Sequence, residues 1–149
     1  MNPPSPDTAP RLAESAVAFV DRKFGILLPY NPPSLILVDA LVDRIKATGA
    51  SEQQASGLLL GLGCYVGEVF VRHARASWRK TAEMGMSRSC AFPVVIALPG
   101  VVGCNPIGQV FDRFRAGESA SIAVFYETAI DPRRGQETTG RLGSGSVDP

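Results

Sequence analysis

Residues 51–76, SEQQASGLLLGLGCYVGEVFVRHARA, constrain the fold more than any other stretch of the chain. Ser51 and Gln54 have the spacing of a helix capping box. Behind them Ala55, Leu58, Leu59, Leu62, Val66, Val69 and Phe70 recur with the 3.6-residue period of a helix face. The opposite face carries Gly57, Gly61 and Cys64, small enough for another element to come close, and then Glu68. Leu60 and Val71 fill the flank. A helix that is apolar nearly all round must be covered on every side, so this one is expected to run to about Ala76 as the buried centre of the fold. Its uncharged part, residues 55–67, is shorter than the roughly 20 residues a bilayer span needs, and Glu68 and Arg72 close it. A core helix is expected, and no membrane association.

The remaining elements fall around this helix. PRLAESAVAFVDRKFG reads as a first helix, with Pro10 in its first turn, Leu12, Ala16, Phe19 and Val20 on its apolar stripe and Gly25 as its stop. An extended connector rich in proline follows. Ser34 is expected to cap a second helix whose inward residues are Leu35, Val38, Leu41, Val42 and Ile45. Beyond Trp78 the helical period disappears. FPVVIAL has strand composition, Pro99–Gly100 marks a turn, and VVGC is placed to pair back as a hairpin. Asn105, Pro106 and Gly117 bracket a fourth helix with Ile107, Val110, Phe111 and Phe114 inward. In SASIAVFYETAI, Ile122, Phe125, Tyr126, Ala129 and Ile130 keep helical spacing, so a fifth helix is expected.

The expected fold class is therefore α+β: a helical N-terminal half of three helices, the third central and buried, packed with a small antiparallel sheet and two C-terminal helices. The chain of 149 residues has the length of one domain. Residues 1–9 and 131–149 have too few apolar side chains to order themselves and are expected to be disordered, which leaves residues 10–130 as the folded unit.

Charge and motif content narrow the function. A net charge of +1 gives no electrostatic footprint for nucleic acid. One histidine and three cysteines without a CxxC pair supply no metal site, and no cofactor fingerprint is present, so neither metal nor cofactor is expected. Cys90 and Cys104 flank the expected hairpin, with Cys104 opposite Val95, so no disulfide is expected. Cys64 reads as a buried, inert thiol. The N-terminus has no basic segment followed by an apolar one, so a cytoplasmic location is expected.

Glu68 is the sharpest candidate for chemistry. A carboxylate bordering an apolar face meets the desolvation that general bases exploit. The plainer reading is structural, because Arg72 lies four residues on, in a favourable helical pair. His73 shares a side with Val66, Val69 and Phe70 and reads as a core histidine. Trp78 reads as an anchor between layers, Asn105 as a cap, and Arg113 and Arg115 as a solvated face. The candidate functional or anchoring residues are thus Tyr65, Glu68, Arg72, Trp78 and Asn105, with no catalytic residue assigned.

Three stretches, YNPPSLILVDALVDRI, LLLGLGCYVGEVFVRHARASW and CNPIGQVFDRFRAGES, together resemble a group of small bacterial domains of unknown function. That group shows a YxGE helix, a tryptophan soon after it and an NPxxxVxxR helix near the end. Tyr65, Gly67, Glu68, Trp78, Asn105, Pro106, Val110, Arg113 and Gly117 carry the resemblance. The chain departs from it at Ala74–Ser77, where two glycines before the tryptophan are typical, and a longer helix is one consequence to expect. Some similar domains are encoded beside toxins or secretion systems. The resemblance implies no established catalytic activity. The missing phosphate loop, triad, metal cluster and cofactor fingerprint favour a non-enzymatic binding module with a protein partner, for example immunity-type or secretion-associated. The alternative is a small-molecule-binding domain or small enzyme, with a pocket where Tyr65, Glu68 and Arg72 meet Trp78 and the Asn105 helix.

Overall fold

The computed structural model describes residues 3–100 and 102–131. Its elements are α1 (Ala9–Phe24), α2 (Leu35–Ala47), α3 (Glu52–His73), β1 (Ser77–Lys80), β2 (Val94–Leu98), β3 (Val102–Cys104), α4 (Pro106–Ala116) and α5 (Ile122–Ile130). One-turn 3-10 segments at Pro32–Ser34 and Gly117–Ala120 precede α2 and α5. The architecture is the α+β arrangement expected, with helices at both ends of the chain and a three-stranded antiparallel sheet between them.

α3 is the centre. Its residues from Leu59 to Phe70 are all buried, and α1, α4, β1 and β2 pack around it. The Ser51–Gln54 capping box forms in both directions. Gly61 lies against Ala16 of α1. Gly63 lies so close to Ile107 that an added Cβ would sit 2.6 Å from its Cα. Glycine there is what lets α4 cross the central helix at backbone distance. α3 is long and apolar enough to meet the composition test for a membrane span, but most of that stretch is buried inside the protein.

The helix stops at His73 rather than continuing to Ala76. Ala74 closes it, and Arg75 turns the chain with φ +56°. The chain thus turns at Ala74–Arg75, and β1 begins two residues later, at Ser77.

Other boundaries follow local chemistry. Gly25 ends α1 in the left-handed conformation, and Asn105 accepts from the Gly108 N–H to cap α4. Ser121 caps α5. In the hairpin Cys104 stands opposite Ile96, one residue from the expected partner Val95, and all three thiols are free.

Three further expectations change. Residues 3–8 of the segment expected to be disordered form a turn in which Ser5 and Thr8 bond to each other, with Pro4 buried. The tail from residue 132 lies outside the described residues. Asn31, not Ser34, is the cap before α2: its side chain accepts from the Ser34 N–H at 3.0 Å. Phe19 is 40% exposed, because the buried line of α1 runs through Ala9, Ala13, Ala16 and Val20 instead.

Candidate functional site

Glu68 is 7% exposed, near the C-terminal end of the central helix. Its Oε2 accepts a hydrogen bond of 3.0 Å from the indole Nε1 of Trp78. Its Oε1 lies 3.8 Å from an Arg72 guanidinium nitrogen. The Trp78 ring reaches this position by packing against Gly67, where any Cβ would collide with it. Gly67 and Glu68 therefore act together: the glycine makes room for the indole and the carboxylate fixes its N–H. The bond ties α3 to β1.

On the other side of Arg72 stands Tyr30. The guanidinium carbon lies 3.7 Å from the centroid of the Tyr30 ring, a close cation–π contact. The Tyr30 ring packs in turn on that of Tyr65, with centroids 4.8 Å apart. Tyr65 is fully buried. Its hydroxyl accepts from the Tyr30 N–H at 2.8 Å and lies 2.6 Å from Ser34 Oγ. The single Ser34 hydroxyl hydrogen goes to the Asn31 carbonyl, so Tyr65 is the donor to Ser34. The Tyr30 carbonyl accepts from His73 Nε2 at 2.8 Å, which fixes the hydrogen on that nitrogen.

Tyr30 is thus held through its N–H, its carbonyl and its ring, in a left-handed conformation with φ +55°. Such a backbone persists only where its surroundings hold it. Its hydroxyl is buried and has no hydrogen-bond partner among the described residues. Burial pushes the phenol of Tyr30 above its ordinary range, with Arg72 opposing. The Tyr65 phenol is also raised, chiefly by burial.

The expected candidates divide accordingly. Glu68, Arg72, Tyr65 and Trp78 belong to one connected network, joined by Tyr30, Ser34 and His73. Asn105 does its capping on α4 and makes no hydrogen bond to that network. His73 is exposed and clasps the connector rather than sitting in the core. Cys64 is buried, and its thiol is pushed up to about 12 by burial and then by Glu68. It is no nucleophile at neutral pH.

A second polar network falls on residues read as solvated or not singled out. Arg113 is 8% exposed. It makes a two-pronged bond to Asp43, at 2.9 and 2.6 Å, and lies 3.6 Å from Asp39. Asp39, 8% exposed on α2, accepts from the N–H groups of Ile122 and Ala123 at 2.7 and 3.2 Å. A carboxylate from α2 thereby caps the start of α5, with Arg113 balancing its charge. Arg115 pairs with Glu52 at the surface.

The expected pocket around Glu68 finds no counterpart among five surface hollows of about 310–490 Å³, none of which is lined by Tyr65, Glu68, Arg72, Trp78 or Asn105. One hollow, of about 410 Å³, opens between the end of α3, the β2–β3 hairpin and the end of α5. Leu98, Pro99, Val102 and Ile130 give it apolar walls, with His73 and Arg75 at the end of α3. Val102 is 56% and Ile130 46% exposed. Comparison with protein-family models, curated proteins and solved structures returns no match to the chain.

Proposed function

We propose that the chain is a non-enzymatic protein-binding module whose partner docks in the hollow between α3, the hairpin and α5. The observation that carries this reading is the convergence of Val102 and Ile130, both large, apolar and exposed, on one concave surface with Leu98 and Pro99. Contiguous apolar surface left open to water favours burial against another molecule. The state of Glu68 supports the same reading from the other side. Its carboxylate is engaged by the Trp78 indole and set against Arg72, an arrangement suited to anchoring a sheet rather than to moving a proton. The resemblance to domains encoded beside toxins and secretion systems favours a cytoplasmic protein partner over a metabolite.

The test is affinity capture from the native lysate with the intact chain and with a Val102→Asp variant. A near-stoichiometric partner that the variant loses, at unchanged melting temperature, supports the reading. A partner held equally by the variant places the interface elsewhere, and a partner-free chain opposes the reading.

A further inference from the structure

The turn that ends α3 uses a residue that is costly there. Arg75 has φ +56°, a left-handed helix-terminal conformation for which glycine is the usual choice, having no Cβ to clash. Its side chain is exposed and engages no described residue in a hydrogen bond or ion pair. Strain held at an unpaired surface cation points to a use for that cation.

Arg75 lines two adjoining hollows. One is the 410 Å³ hollow already described; the other, of about 310 Å³, also touches Arg79 and Met84. Leu98 and Pro99 belong to both. Arg75 and Arg79 bring positive charge to this lining, the imidazole of His73 adds donor capacity, and among the described residues no aspartate or glutamate belongs to either. Arg79 is already matched by Glu83 at 3.5 Å. Among the described residues that line the two hollows, Arg75 is the cation left to meet a partner.

We propose that Arg75 makes this surface select acidic segments: an extended stretch of the partner protein seats an apolar side chain against Val102 and Ile130 and sets a carboxylate on the Arg75 guanidinium. This rests on the reading of the hollow as the docking surface. The guanidinium fork matches a carboxylate with two parallel hydrogen bonds. At this exposed rim the pair is screened by salt, so it acts on partner choice and on encounter more than on total affinity.

The test is fluorescence anisotropy on the full chain with two labelled hexapeptides, one alternating aspartate with leucine, the other asparagine with leucine. The aspartate peptide is expected to bind the more tightly, to weaken as salt rises from about 0.05 M to about 0.5 M, and to lose about twofold to fivefold in affinity on Arg75→Gly. Arg75→Gly relieves the left-handed strain, so its melting temperature is expected to equal or exceed that of the parent. A loss of binding is then no folding defect. Equal binding of the two peptides would overturn the charge selection and leave the docking surface standing. Binding of neither would overturn both, and so would self-association that buries Val102.

Discussion

The indole N–H of Trp78 is bonded to the carboxylate of Glu68 at 3.0 Å, across the junction between the central helix and the sheet. Removing the donor by Trp78→Phe leaves a nearly buried carboxylate facing only the more distant Arg72. A loss of about 1–3 kcal/mol in unfolding free energy is expected. Glu68→Gln keeps an oxygen that can accept from the indole, so its loss is expected to be the smaller of the two. Urea unfolding of both variants checks the order. A Gln variant of unchanged stability that has lost a ligand or an activity would speak against an anchoring role.

Gly67→Ala tests the same joint by sterics. Its methyl group would occupy the place of the Trp78 ring, and overpacking of this kind typically costs about 1–3 kcal/mol. Because Trp78 is the single tryptophan, a shift in fluorescence should accompany the lowered melting temperature.

Asp39→Asn is expected to loosen the last helix. It removes the charge that takes up the Ile122 and Ala123 N–H groups and leaves Arg113 to Asp43 alone. A cost of about 2–3 kcal/mol is expected. Hydrogen exchange should show it as faster exchange at Ile122 and Ala123, with α3 exchange little changed below global unfolding. Asp43→Asn should cost less, since that side chain is half exposed.

The thiols give a pH dependence. Burial pushes Cys64 to about 12, and burial followed by Cys90 does the same to Cys104, against an unfolded value near 9.0. Between those values the unfolded chain releases protons that the folded chain keeps, so stability is full below pH about 9 and falls as pH rises toward 12. Replacing both residues with serine should flatten that decline. In the folded protein, buried Cys64 is the thiol expected to react last with iodoacetamide.

What could be read from the sequence was what is decided within a turn or two of chain. The Ser51–Gln54 box, the Asn105–Pro106 helix start and the Gly25 and Gly117 stops each satisfy local backbone groups, and each forms. The same Asn-Pro signal stood at Asn31–Pro32 and was the missed cue for the cap before α2. Glu68 and Trp78 were legible as a pair of anchors on either side of the helix end, but not as bonded partners.

The rest depends on what other elements bring. Asp39 lies on the apolar stripe of α2, four residues from Leu35 and three from Val42. Arg113 lies three residues from Val110 on the stripe of α4. Charges in those places call for each other, yet only tertiary packing pairs them. His73 leaves the core because α3 ends there and the connector passes beside it. Tyr30, the hub between Arg72 and Tyr65, carries no local signature at all.

The docking surface is the central claim, and hydrogen exchange of the chain with and without its captured partner tests it most directly. Slowed exchange confined to the ends of α3 and α5 and to the β2–β3 hairpin is the expected result. Slowed exchange centred instead on the exposed Phe19 face of α1, or none at all, would contradict it.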